Sequence, residues 1–167
     1  WGLEDQRRCA REVFRTTAAY DGAIARWMGE AVEGASRELP ERLDFSLVSK
    51  QGLRYGENPH QPAGLYIQPG TPVEGIAACR QLQGKELSFN NLLDIDATAR
   101  LVGFFDAPAC VIVKHNNPCG AAVGAHPLEA FHKAQASDPV SSFGGIAAFN
   151  RPLGGEVAKA MVQSFWE

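Results

Sequence analysis

The stretch that decides the fold is Ala-Cys-Val-Ile-Val-Lys-His-Asn-Asn-Pro-Cys-Gly, at positions 109–120. Residues 109–113 form an unbroken apolar run with β-branched side chains, the pattern of a strand buried on both faces. A Lys-His pair follows, and then a segment whose Asn, Pro and Gly residues predict a turn. The sequence therefore predicts a buried strand that ends at two side chains able to take part in catalysis, Lys114 and His115.

On either side of this strand the apolar spacing predicts a mixed fold. Helices are expected at residues 91–105, 127–136 and 155–165, and a second buried strand at 145–149. The alternation of apolar and polar residues predicts another strand at 43–48. An Asn at the end of segment 83–91 is expected to cap the first helix. Alternating strands and helices are typical of an α/β fold, in which helices cover a sheet.

The N-terminal part of the chain differs from the rest in its charged residues. Up to Arg42 there are 7 basic residues, all Arg, and 8 acidic ones, and every Lys lies beyond that point. Apolar residues spaced three and four apart predict an amphipathic helix over residues 5–28, ended by Gly29. Residues 34–43 have no strong period and contain Pro40, which indicates a linker. We therefore divide the chain into residues 1–42 and 43–167.

Composition excludes several classes of protein. The 167 residues hold 16 Lys and Arg against 19 Asp and Glu, a net charge of −3, which argues against nucleic-acid binding through bulk positive charge. The longest apolar run, residues 107–113, is too short to cross a membrane. No secretory signal is visible, and the absence of an initial Met suggests a trimmed or fragmentary chain. The four cysteines form no Cys-x-x-Cys pair and are expected to be small buried residues in a reducing cytoplasm.

The Lys114–His115 pair is the strongest candidate for catalysis. A neutral imidazole accepts a proton near neutral pH, and a neighbouring ammonium stabilises an oxyanion as it develops. Adjacent residues of a strand point to opposite faces, so both can reach one substrate only if the strand ends at about Val113. From spacing alone, a solvent-exposed Lys with a His bonded to the turn backbone is the favoured alternative.

Two further segments could bind a ligand. Residues 53–62 predict an ordered loop in which Arg54, Tyr55, Asn58 and His60 suit a phosphate or nucleotide, although anchoring of the loop is the simpler explanation. The paired glycines Gly144 and Gly145 allow a ligand to approach the backbone, but in isolation a tight turn before a strand is the favoured explanation. Asn90 could face a ligand, with helix capping as the safer assignment. No dinucleotide-binding or Walker motif is present.

Four blocks in order resemble one family. They are residues 54–61 (Arg-Tyr-Gly-Glu-Asn-Pro-His-Gln), 82–97 (Leu-Gln-Gly-Lys-Glu-Leu-Ser-Phe-Asn-Asn-Leu-Leu-Asp-Ile-Asp-Ala), 111–120, and 137–150 (Ser-Asp-Pro-Val-Ser-Ser-Phe-Gly-Gly-Ile-Ala-Ala-Phe-Asn). The family is that of the bacterial bifunctional purine biosynthesis proteins, which join phosphoribosylaminoimidazolecarboxamide (AICAR) formyltransferase to IMP cyclohydrolase. Residues 14–21 also resemble the closing helix of its cyclohydrolase domain, so the resemblance spans nearly the whole chain.

The resemblance implies roles for individual residues. His115 matches the histidine expected to take a proton from the 5-amino group of AICAR as that amine attacks 10-formyltetrahydrofolate, the cosubstrate. Lys114 matches the lysine expected to stabilise the transition state or to help the folate nitrogen leave. The matches expected to bind AICAR or to line its site are Arg54, Tyr55, Gly144, Asn90 and His60.

The resemblance also implies an architecture and partners. Residues 43–167 match the first of two transformylase lobes with a cytidine-deaminase-like sheet flanked by helices, and residues 1–42 match a helical tail of the cyclohydrolase domain. A site that forms across a homodimer is expected, in a cytoplasmic enzyme without nucleic-acid or membrane partners. No zinc is expected, because the deaminase ligand motifs His-x-Glu and Pro-Cys-x-x-Cys are absent; a need for a monovalent cation stays open. The alternative is a non-catalytic fragment that supplies a dimerisation surface and half a pocket.

Overall fold

The computed structural model describes residues 1–33 and 42–167 and contains two compact units, Trp1–Val48 and Ser49–Glu167. The described residues of the first unit include the helix α1, Leu3–Glu33. This confirms the helix predicted over residues 5–28, but Gly29 does not end it, because that glycine lacks the positive φ of a glycine cap and the helix continues. The apolar residues predicted to be buried, including Tyr20 and Trp27, are exposed. Residues 34–41 of the predicted linker lie outside the described residues.

A small two-stranded sheet begins the second unit. It consists of β1, Val48–Leu53, and β2, Ala63–Ile67. The prediction of a strand at residues 43–48 is therefore wrong. Residues 42–47 have no regular structure, and the strand starts at Val48. The reason is that a strand forms where a partner accepts its hydrogen bonds, and local alternation of side chains does not specify that partner. A short 3-10 turn follows at Gly75–Ala78.

The second sheet contains the buried strand. Its order is β4-β3-β5, with β3 at Ala109–Lys114, β4 at Asn117–Val123 and β5 at Ile146–Phe149. Residues 109–113 of the central strand β3 are all buried, as predicted. The strand predicted at 145–149 is confirmed as β5, but its residues are half-buried because it lies at an edge of the sheet. Both neighbours run antiparallel to β3. The chain is thus mixed α and β, with small antiparallel sheets.

Helices cover both faces of this sheet. They are α2, Phe89–Val102, α3, Pro127–Ser137, and α4, Gly155–Met161, which confirms the three predicted helices with shifted ends. On one face Val111 and Val113 pack in a cluster with Val102 of α2. On the other face Cys110 and Ile112 pack against Ala130, Phe131 and Ala134 of α3, and α4 adds to the same cluster. Successive side chains of β3 point to opposite faces of the sheet and thus pack into two separate hydrophobic clusters.

A tight turn joins β3 to β4. The sequence predicted a turn over residues 116–120, whereas the turn is His115–Asn116 and β4 already begins at Asn117. Pro118 is tolerated because β4 is an edge strand and the register shifts beside it. Gly120 is needed where β4 crosses α3, since a Cβ there would lie 2.0 Å from the carbonyl oxygen of Ala134.

The cysteines do not all match the expectation of buried residues. Cys110 is buried and Cys119 half-buried, but Cys9 and Cys79 are exposed, and all four are free thiols. No helix among the described residues has the length and apolar character needed to cross a membrane.

Candidate active site

The Lys114–His115 pair lies where β3 turns into β4. Lys114 is the last residue of β3 and pairs with Asn117. His115 and Asn116 both have positive φ, 53° and 60°, the conformation of the two central residues of a type I′ turn. The strand therefore ends one residue later than Val113, and the left-handed backbone at His115 interrupts the alternation of side chains.

The Lys114 side chain is held by a hydrogen bond and is not free in solvent. It is half-buried, and its Nζ donates a hydrogen bond to the carbonyl oxygen of Phe143 at 2.6 Å. That carbonyl precedes Gly144, whose φ is +73° and at which a Cβ would stand 3.9 Å from the same Nζ. The structure thus brings Lys114 and Gly144 together, because antiparallel pairing places the end of β3 beside the start of β5.

His115 is held through its backbone. Its N–H donates to Oδ2 of Asp94 at 3.1 Å, and the N–H of Asn116 donates to Oδ1 of the same carboxylate at 2.6 Å. The residue is exposed, and no hydrogen bond to its imidazole ring is present in the described part of the chain. The alternative in which the ring is bonded to the turn backbone therefore does not hold, and the ring is available to a substrate.

Arg54 and Tyr55 begin the loop between β1 and β2. The Arg54 guanidinium lies 4.8 Å from the centre of the Tyr55 ring, and its Nη2 donates to the Tyr55 hydroxyl at 3.1 Å. Their backbone is fixed to the start of α2, since Arg54 N donates to Leu87 O and Phe89 N donates to Tyr55 O. The predicted ordered loop is confirmed, with a half-buried Tyr55 and an exposed Arg54.

Asn90 and His60 are placed differently. Asn90 does not cap the helix, because the cap is Ser88, whose side chain exchanges hydrogen bonds with Asn91 in a capping box. The Asn90 side chain instead donates to the carbonyl oxygen of Glu57 at 3.1 Å, inside the Arg54–Tyr55 loop. His60 is exposed in the same loop, and no contact recorded in residues 1–33 and 42–167 brings it to the Lys-His turn.

Helix α2 connects the two groups of residues. Asn90 holds the Arg54–Tyr55 loop, and Asp94 holds the Lys114–His115 turn. Residues four apart lie on the same side of a helix, with Cβ atoms about 5–6 Å from each other. The two segments predicted to bind and to transform a substrate are therefore fixed one helical turn apart on the same helix.

A cavity of about 470 Å³ opens nearby, beside the first half of α2. Its walls carry the cationic side chains of Lys50, Arg54, Arg80 and Lys85 together with the carboxylates of Glu86 and Glu167. Arg54 is the one predicted site residue that lines it. We place the candidate active site at the exposed turn rather than in this cavity, because the turn carries an imidazole, which accepts a proton near neutral pH, directly beside an ammonium.

The described residues include no group of three or more His, Cys, Asp or Glu side chains that could hold a metal ion. One thiol with a shifted pKa, that of Cys119, lies close enough to Lys114 for the ammonium to act on it. Hydrogen bonds from the Ser141 side chain and backbone lower the pKa of Asp138, and burial raises the pKa of Cys119, whose thiol donates to Ser141 O at 3.6 Å. The Lys114 side of the turn is therefore a polar, partly enclosed environment.

Asp94 is the residue that reasoning from sequence missed. It stands in the quoted block at residues 82–97, but a carboxylate near the start of a helix is explained by the helix dipole alone. Its contact spans 21 residues of sequence, and no local pattern indicates such a contact. The Phe143 carbonyl was missed for the same reason, since a backbone group leaves no signal in the sequence.

Comparison with known families agrees with the resemblance of the four blocks. A model of the AICARFT/IMPCHase bienzyme family matches residues 1–167, which is the whole chain. The match includes both compact units, so it covers α1 as well as the sheet with the Lys-His turn. The chain therefore belongs to the AICARFT/IMPCHase bienzyme family of purine biosynthesis.

Proposed function

We propose that this chain is part of an enzyme that transfers the formyl group of 10-formyltetrahydrofolate to the 5-amino group of AICAR. The observation that carries the proposal is the arrangement on α2, where Asn90 and Asp94 fix the Arg54–Tyr55 loop and the Lys114–His115 turn one helical turn apart. Cyclisation of the formylated product to IMP would take place in a cyclohydrolase domain, of which residues 1–42 form the closing helix and linker.

In the proposed mechanism the AICAR amine attacks the formyl carbon. A carbon–nitrogen bond forms to the amine, and the bond between the formyl carbon and the folate nitrogen breaks. The imidazole of His115 accepts the proton that the amine loses. The ammonium of Lys114 stabilises the oxyanion of the intermediate or gives a proton to the departing folate nitrogen; in the first case the protonated His115 gives the nitrogen that proton.

The contacts of Lys114 suit that role. One of the three ammonium donors is taken by the Phe143 carbonyl oxygen, which leaves two for a reacting group. The same contact restricts the long side chain before substrate arrives, so less conformational freedom is lost in the transition state. The backbone of His115 is fixed at both residues of the turn, which leaves its ring free to orient toward a substrate.

The nucleotide would be held by the second group of residues. A guanidinium binds phosphate through two parallel hydrogen bonds, and an aromatic ring stacks on a planar base. Arg54 and Tyr55 offer both at one place, already in contact with each other. Gly144 would add a backbone contact close to Lys114, with Asn90 and His60 at the edge of the site.

Exposure of the site supports a shared pocket. Among the proposed site residues, Arg54, His60, Asn90 and His115 are all exposed within the described chain. Formyl transfer needs water excluded from the reacting groups. We therefore propose that residues 43–167 are the first transformylase lobe, of cytidine-deaminase-like fold, and that a second lobe and a partner subunit of a cytoplasmic homodimer close the site.

The same exposure favours the second candidate, a non-catalytic module that supplies a dimerisation surface and half a pocket. Isothermal calorimetry with AICAR on the isolated chain separates the two candidates. Tight binding together with turnover of 10-formyltetrahydrofolate would contradict the module. The absence of both, with full activity in the larger enzyme, would show that the chain alone is inactive, as we expect.

The decisive experiment replaces His115 in the bifunctional parent enzyme. His115→Ala should lower the formylation rate by about 10²- to 10⁴-fold, as removal of a general base does, and should leave cyclisation unchanged. The matched control is His132→Ala, because His132 is an exposed histidine on α3 that packs beside Phe131, away from the turn. A His115→Ala enzyme that keeps most of its formylation activity would refute the assignment.

A further inference from the structure

We propose that Asp94 is a positioning residue for His115; the inference rests on the proposed function. The carboxylate is half-buried on α2 and accepts the backbone N–H of His115 on one oxygen and that of Asn116 on the other. In the described part of the chain its carboxylate accepts hydrogen bonds from both residues of the turn and from no residue of β3 or β4. Its position determines where the turn, and hence the histidine, is held.

The turn needs such support because of its own residues. Both central positions of a type I′ turn have positive φ, so Asn and Gly are preferred there. Asn116 fits this preference, whereas His115, at φ 53°, is neither Asn nor Gly, although histidine occurs at positive φ more often than most other residues. A bulky residue keeps this backbone only where the surrounding structure imposes it. The two hydrogen bonds to Asp94 are charge-assisted, and they satisfy the backbone donors that this conformation turns toward α2.

Asp94 has no competing role in the described part of the chain. It makes no ion pair there, whereas Asp96, two residues further along the same helix, pairs with Arg100 at 2.9 Å. The side chain of Asp94 is therefore engaged with the turn alone. Asp96 offers a matched control, since it is an aspartate on the same helix whose contact stays within α2.

The first test is kinetic and uses the whole bifunctional enzyme. Asp94→Asn keeps the size of the side chain but replaces one acceptor oxygen with an NH₂ group, so one of the two hydrogen bonds is lost. We expect kcat for formylation to fall about 10- to 100-fold, the range for a small displacement of a catalytic group, with KM for AICAR within about twofold. Asp96→Asn should leave both constants unchanged. An unchanged kcat in Asp94→Asn would overturn the proposal.

The second test does not depend on activity. Hydrogen exchange followed by NMR in the same enzyme should show the amides of His115 and Asn116 exchanging faster in Asp94→Asn, by tenfold or more, while the amides of α2 and β3 keep their protection. Loss of protection throughout α2 would mean that Asp94 supports the helix, and would contradict a positioning role. If His115→Ala remained active, the proposed function would fail, yet the exchange result would still show whether Asp94 fixes the turn.

Discussion

Both halves of the proposed site lie in the connection between two paired strands, but the two connections are held in different ways. The Lys114–His115 turn joins β3 to β4, and residues 109–113 of β3 are buried between two layers of helix. The Arg54–Tyr55 loop joins β1 to β2, whose residues are exposed or half-buried. The half proposed to be catalytic is thus supported by a packed core, while the half proposed to bind the nucleotide depends mainly on hydrogen bonds within the loop and to the start of α2.

The difference matches what each half has to do. A proton acceptor must be placed precisely relative to the reacting atoms, and packing of a buried strand restricts its movement. A loop that grips a phosphate and stacks on a base can adjust as the ligand enters. Within the loop, Gly56 N donates to Gln61 O at 2.7 Å and Gln61 N donates to Asn58 O at 3.0 Å, so it keeps its shape without a core of its own.

The largest expected effect is on the stability of the β3–β4 region. Gly120→Ala would place a Cβ 2.0 Å from the Ala134 carbonyl oxygen, so β4 and α3 must move apart. We expect the free energy of unfolding to fall by about 2–4 kcal/mol, in the upper range for overpacking, as measured by urea denaturation. The matched control is Gly52→Ala in β1, where no atom lies within 4 Å and the change should stay within about 1 kcal/mol. Equal losses would contradict the comparison.

A somewhat smaller effect is expected from Asn150→Ala. The Asn150 side chain accepts from Ala109 N at 2.8 Å and donates to Phe105 O and Ala107 O, which ties the start of β3 to the end of β5. Its removal leaves these groups unpaired and should cost about 1–3 kcal/mol of unfolding free energy.

The control for Asn150 lies in the other region. Asn58→Ala removes only an exposed amide that donates to Gln61 Oε1 at 3.3 Å, and should cost less than about 0.5 kcal/mol. Thermal unfolding of both variants measures the difference. A larger loss for Asn58→Ala would show that the loop, rather than the sheet, limits stability.

The pKa and reactivity of the cysteine thiols give a third test, which concerns the burial of β3. Burial raises the pKa of Cys110 from 9.0 to about 12. The folded state therefore favours the protonated thiol, and this contribution to stability is complete below pH 9 and is lost as the pH rises from 9 toward 12. The alkaline loss should be smaller in Cys110→Ala. At pH 8, Ellman's reagent should modify exposed Cys79 in the native protein and Cys110 only after denaturant is added; rapid native modification of Cys110 would contradict its burial.

The smallest effect on stability should come from Tyr55→Phe, which removes the hydroxyl that accepts the 3.1 Å hydrogen bond from Arg54. Unfolding free energy should change by less than about 0.5 kcal/mol, because Arg54 is exposed. In the bifunctional enzyme KM for AICAR should rise by about three- to tenfold with kcat unchanged, because the guanidinium proposed to bind the phosphate loses the hydrogen bond that holds it beside Tyr55. A fall in kcat with constant KM would assign Tyr55 to the chemistry instead.

Much of the fold could be predicted from local patterns. The β-branched run at residues 109–113 indicates a strand buried on both faces, and helical spacing indicates α1, α2 and α3. The same reasoning placed β1 too early and read the start of β4 as a turn. Both errors concern strands, because a strand is stabilised by a partner that is distant in sequence. The Pro and Gly residues of β4 signal a turn locally, and only its edge position makes them acceptable.

In the candidate site, too, some features could be predicted from local sequence and others could not. The residue types at 54–55 and 114–115, with the four blocks around them, were sufficient to indicate the family, which the match over residues 1–167 confirms. The capping residue was misplaced at an Asn because Ser, Asn and Asn follow one another closely around the start of α2, and the geometry of the capping box selects Ser88. The contacts of Asp94 and of the Phe143 carbonyl could not be predicted.

By itself the sequence determined the buried strand at residues 109–113, the helices, and the side chains available for chemistry, because periodicity and residue type are properties of neighbouring residues. Only the tertiary structure decided that the sheet is antiparallel, that Lys114 meets the carbonyl before Gly144, and that one helix holds both the loop and the turn. The physical reason is that strand pairing and backbone hydrogen bonds join groups that are far apart along the chain and carry no identity in the sequence.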